Sequence, residues 1–166
     1  MQMLKIHFKK KQDGSATMTC FRADGTCTGQ KSSEFFVAHD LCHYIAETTL
    51  HLKRAFYGMI SEGWDISDFG SPYPRGRFPE DALPDLMMSE HCAGVLGYIL
   101  RGQPELAAEY RLQETILMGQ DELPLAVSVS DEQWRMMQGQ IAEAIEQWNA
   151  LLNHETLILN FPAPNA

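Results

Sequence analysis

The chain has 166 residues, 45% of them hydrophobic and 21% charged, which predicts one domain with a core large enough to need neither disulfides nor a structural metal for stability. With 22 acidic against 13 basic residues the net charge is −9, which argues against nucleic acid and anionic membrane as main partners, since both demand a basic face. No stretch reaches the roughly 18 apolar residues of a membrane span. The N-terminus, MQMLKIHFKKKQDG, does not read as a signal peptide, because its lysines follow the apolar residues. The four cysteines, Cys20, Cys27, Cys42 and Cys92, form no CxxC, and a cytoplasmic protein with reduced thiols is the expectation.

Residues 3–31 read as three strands. Leu4, Ile6 and Phe8 alternate with Lys5, His7 and Lys9, the period of a half-buried strand. Asp13-Gly14 and Asp24-Gly25 are hairpin signals, since glycine accepts the positive φ of a tight turn. Taken as a two-residue loop, Asp24-Gly25 sets Arg22 opposite Cys27 and leaves Cys20 diagonal to Cys27, about 7–8 Å away, too far for a disulfide. The run Lys9-Lys10-Lys11 reads as a solvated strand end that protects an edge.

Residues 39–62 read as one long helix with Leu41, Ile45, Thr48, Leu52, Ala55, Phe56 and Met59 as its apolar stripe, stopped by Gly63. Residues 64–83 form a long Pro- and Gly-containing loop of the kind that is often functional. Its aromatics, Trp64, Phe69, Tyr73 and Phe78, either wall a small-molecule pocket or anchor the loop to the core. Helices are expected from Pro84 to Arg101, from Pro104 to Met118, and after a capping box at Ser130–Gln133, with QDELP as a break. The last helix carries Trp134, Met137, Ile141, Ile145, Trp148 and Leu152 on its stripe. Thr156 to Asn160 reads as a strand joining the N-terminal sheet. The fold class is α+β: a small antiparallel sheet, made of the N-terminal meander and the C-terminal strand, packed on about four helices as a single domain.

One cluster could carry chemistry. His39, His43 and Glu47 are spaced by four, with His51 extending the row. Side chains four apart on a helix lie one turn above another and can converge on one ion. Imidazole and carboxylate suit zinc or another divalent transition metal. A helical projection sets the three opposite the apolar stripe, on the side of Leu50 and Tyr57. The cluster is therefore buried if the helix is covered on both faces, and solvated if it is not. Further ligands must come from elsewhere: Glu90 and His91 on the second helix first, then Asp65 and Asp68. The structural alternative makes Asp40 the helix cap and pairs Glu47 with Arg54 or another charge.

The segment HDLCHYIAETTL, followed by AFYGMISEGWD, resembles a family of small bacterial proteins that share an HDLxHYxxE helix after an N-terminal hairpin. The resemblance covers about residues 35–70 and a C-terminal ETLILNFP strand, and implies no activity. His39-Asp40-x-x-His43 is also similar to the HDxxH zinc motif of a ubiquinone-biosynthesis family. That motif continues with a glutamate where this chain has Ala55, so only His39, Asp40 and His43 match. Against the HExxH zinc peptidases, Asp40 stands in place of the general-base glutamate.

No GxxxxGK[ST], GxGxxG or GxSxG occurs. Two readings from different classes remain. In the first, His39, His43 and Glu47 hold a divalent ion, zinc foremost, with Asp40 and Glu47 as candidate catalytic groups and a small-molecule ligand near loop 64–83. In the second, the histidines are structural and the protein is a non-catalytic binder or a homo-oligomer, without metal.

Overall fold

A computed structural model describes residues 3–70, 78–120 and 128–163, with the backbone alone for 113–120. Four strands form one antiparallel sheet: β1 (Met3–Lys10), β2 (Ala16–Phe21), β3 (Cys27–Ser32) and β4 (Thr156–Pro162), in the order β3-β2-β1-β4. The fold is α+β, as its patterning predicts. The alternation along β1 sets Leu4, Ile6 and Phe8 on the inner face. Ile6 stands between Cys20 of β2 and Leu159 of β4, and Phe8 between Met18 and Leu157. Burying each of the larger side chains is worth about 1.5–3 kcal/mol.

Both hairpins close with one device, which corrects the expected register. Arg22 N–H donates to Thr26 O and Gly25 N–H to Arg22 O, so the loop has three residues and Gly25 takes φ 89° as its bulge. The Asp24 carboxylate accepts from Thr26 N–H at 2.9 Å. At the first hairpin Gly14 takes φ 78° and Asp13 accepts from Ser15 N–H at 3.0 Å. The extra residue shifts the partner of Cys27 from Arg22 to Phe21. Cys20 is buried while Cys27 is exposed, and all four cysteines are free.

The lysine run does not guard an edge, since β1 is a central strand. Lys10 instead reaches the end of the last helix and donates to the carbonyls of Trp148 at 3.2 Å and Leu151 at 3.1 Å. A cation suits these C-terminal carbonyls.

The expected helix over 39–62 is two helices. α1 spans Glu34–Leu50 and α2 spans Phe56–Ser61. α1 starts five residues earlier than expected, from Ser33, so Asp40 is a mid-helix residue and not a cap. His51 ends it in the left-handed conformation, φ 55°, and Leu52 N–H donates back to Glu47 O. Asp65 and Asp68 close a capping box on the short 3-10 turn Ile66–Phe69. Asp65 also pairs with Arg22 at 3.0 Å.

α3 (Leu83–Leu100) and α4 (Pro104–Gln120) follow, and α5 (Asp131–Ala150) opens with the expected Ser130–Gln133 capping box. Leu152 lies beyond α5 and is exposed. The QDELP break falls at 120–124, largely outside the described residues. α1 lies between the sheet on one side and α3 and α5 on the other, and α4 packs on α3. Trp64, Phe69 and Phe78 pack together over Met59, Ala82 and Leu86, which matches the anchoring role, while Tyr73 lies outside the described residues. No helix among the described residues is long and apolar enough to cross a membrane.

Candidate metal centre

Because α1 is covered on both faces, its polar row is buried. His43 is 3% exposed, Glu47 1% and Asp40 6%, with His39 half-buried. The row does not act as one unit. His39 and His43 converge, with their Nε2 atoms 3.1 Å apart and their rings edge to face. The third group is Glu90 on α3, whose Oε1 lies 3.6 Å from His43 Nε2. One ligand atom from each of His39, His43 and Glu90 falls within 4.8 Å of the others. In a tetrahedral site with bonds of about 2.0–2.1 Å, neighbouring ligand atoms stand about 3.3 Å apart. The separations of His43 from His39, 3.1 Å, and from Glu90, 3.6 Å, are close to that requirement.

Glu47, expected as a ligand, is turned the other way. Its Oε1 accepts from Phe56 N–H at 3.0 Å, and its Oε2 from Tyr57 N–H at 2.9 Å. The carboxylate therefore serves the opening turn of α2, where backbone N–H groups lack helical partners. Ser89 Oγ adds a third hydrogen bond, donated to Oε1 at 2.8 Å. Burial pushes Glu47 up to about 8, against these hydrogen bonds, which favour the ionised form. Glu47 also does not pair with Arg54, which binds Glu62 and Asp81.

Ser89 connects the two groups. With Glu47 ionised, the form its backbone hydrogen bonds favour, the single Ser89 proton goes to Glu47 and Ser89 accepts from His43 Nδ1–H, at 2.7 Å. This arrangement assigns His43 the Nδ1–H tautomer and leaves a lone pair on Nε2, facing His39 and Glu90. Burial lowers His43 to about 4, and burial followed by the His43 charge lowers His39 to about 4, so both rings are neutral and ligand-competent at pH 7. Without an ion, one ring donates to the other across the 3.1 Å gap. With an ion, both present lone pairs.

The remaining candidates lie apart. Asp40 has its Oδ2 buried without a hydrogen bond, and burial followed by the Glu90 charge raises it to about 7. Its backbone carbonyl accepts from Tyr57 O–H at 3.0 Å. His91, next to Glu90, points around α3 and stacks on Tyr110 and against Trp134. His51 is the exposed end of α1. Among the described residues of 64–83, Phe69 reaches the cluster indirectly: it packs on Phe56, and Phe56 lies 5.7 Å from His43 between ring centroids. Sequence reasoning missed Ser89, which no motif marks, and gave Glu90 only as a supplementary ligand.

Comparison with known proteins finds no matching family model, no matching curated protein and no matching solved structure.

Proposed function

We propose that this chain binds one divalent metal ion, zinc foremost, through His39 Nε2, His43 Nε2 and Glu90. The observation that supports it most is the convergence of three ligand atoms from two helices within 4.8 Å. The Glu47–Ser89–His43 chain supplies what such sites need beyond their ligands, a partner that fixes the imidazole tautomer. The Glu90 side chain is 52% exposed while that of His43 is 4% exposed, so the ion sits where solvent meets the core. Three protein ligands leave a fourth position open, the arrangement in which zinc activates water or polarises a bound oxygen. Metal-dependent hydrolysis or hydration is the reaction class this reading favours. The free cysteines support a reducing, cytoplasmic setting.

The second reading, a non-catalytic self-assembling protein, draws on the outer face of the sheet, where Phe21 and Ile158 are 38% and 54% exposed. Competition against a chromophoric zinc chelator separates the two. Wild type should bind one zinc per chain, and His43→Ala and His39→Ala should each weaken binding at least a hundredfold. Glu90→Gln should weaken it about tenfold or more. A wild type with no zinc affinity, or a His43→Ala variant that binds as tightly, would remove the metal reading.

A further inference from the structure

Glu90, Gly94, Gly97 and Arg101 recur along α3 at intervals of four, three and four, so they share one face of that helix. The face looks at α1. His43 lies opposite Ser89 and Glu90, and His39 and Phe35 border the same cleft as Gly94, Gly97 and Arg101. A cleft of about 280 Å³ lies there with Gly94 and Gly97 in its lining; Gly97 keeps a side chain out of it, and Gly94 lets the Tyr110 ring close against the helix. Phe35, Tyr98 and Tyr110 form its walls, His39 borders it, and Arg101 is its cation.

Tyr110 packs so closely on Gly94 that a Cβ there would meet its ring at 2.6 Å. The floor is therefore set by van der Waals contact with α4. Arg101 folds back along its own helix: a Cβ on Gly97 would lie 3.4 Å from its guanidinium, which sits 4.7 Å above the Tyr98 ring centroid. Among the described residues this guanidinium makes no ion pair and no hydrogen bond. In a chain of net charge −9, an exposed cation that lines a mostly apolar cleft, with its hydrogen-bond donors unused, is set to receive an anion.

We infer that this cleft binds a small organic acid, with its carboxylate on Arg101 and a short apolar body over Gly94 and Gly97, its other end directed toward the ion on His39, His43 and Glu90. The substrate orientation rests on the metal reading above; binding of the acid at Arg101 does not. A single guanidinium offers the two parallel donors that a carboxylate accepts. A polyanion such as a nucleotide would find one cation and would face the Glu90 carboxylate. The volume is near the lower bound of about 300 Å³ for small-molecule pockets, which suits a compact ligand.

Calorimetry with benzoate and hexanoate, against benzamide and hexanol, tests this on zinc-loaded and on metal-free protein. Both acids should bind wild type, and their neutral counterparts at least tenfold more weakly. Arg101→Gln should weaken the acids at least tenfold with zinc stoichiometry unchanged, and Arg101→Lys should recover part of the loss. Gly97→Leu should fill the floor and weaken the acids at least tenfold, again with zinc retained. Urea unfolding of each variant confirms its fold. Acids that bind Arg101→Gln as well as wild type, acids matched by their neutral counterparts, or no binding at all would overturn the inference. Acid binding through Arg101 in a chain that takes no zinc would uphold this site and remove the metal reading alone.

Discussion

Glu47 shows how residue identity and residue role part company. Its spacing from His43 is that of a ligand, yet its oxygens are taken by Phe56 N–H, Tyr57 N–H and Ser89 Oγ. Opposite phenotypes are therefore expected for two carboxylates. Glu47→Ala leaves two backbone donors and a serine hydroxyl buried without an acceptor, each worth about 1–3 kcal/mol, so the loss of stability should be about 3 kcal/mol or more. Glu90→Ala removes a half-exposed carboxylate and should cost under about 1 kcal/mol while weakening the metal. Urea midpoints of the two variants check this, and equal midpoints would contradict the division of roles. The histidine pair was legible from spacing alone, since a repeat of four on a helix brings imidazoles together wherever the helix packs. The role of Glu47 was not legible, because its partners belong to a helix start hidden inside what reads as a continuous helix.

That hidden break belongs to the scale of elements. The stripe from Leu41 to Met59 continues through the junction, and no glycine or proline lies between Leu50 and Phe56. The turn is made by His51 at φ 55°, a conformation more often given to Gly or Asn. It is held by Glu47 and by Gly58, where an added Cβ would stand 1.9 Å from Lys53 O. Backbone cannot yield there without moving the junction. Gly58→Ala is predicted to destabilise by about 3 kcal/mol or more, far beyond the ordinary helix preference for alanine, which acts in the opposite direction. A variant as stable as wild type in chemical unfolding would place the α1–α2 turn elsewhere. The hairpins teach a related lesson. Asp-Gly was legible as a turn in both, but the Asp side chain captures the N–H two residues on and makes the glycine a bulge, so the register of β3 moves by one.

Over the whole molecule, chain ends and middle have different duties. The first and last strands pair along β1 and β4 and, with β2, bury one face against α1. The α+β class and the return of the C-terminus to the sheet followed from period-two alternation at both ends of the sequence. What joined α1 to α3 did not follow, because nothing local says that Ser89 and Glu90 come to rest beside His43. Of the pair Glu90 and His91 on the second helix, only the carboxylate comes beside His43, while the helix turns the adjacent His91 toward Tyr110 and Trp134. The result is an imidazole pair, His43 buried and held by Ser89 and His39 half-buried, met by a half-exposed carboxylate beside a small apolar cleft. The most direct test of that arrangement is the absorption spectrum of the protein titrated with cobalt(II). Visible ligand-field bands should saturate at one cobalt per chain, without thiolate charge transfer despite the nearby Cys42, and be absent from His43→Ala. No bands in wild type, bands of thiolate type, or the same bands in His43→Ala would contradict a centre built on His39, His43 and Glu90.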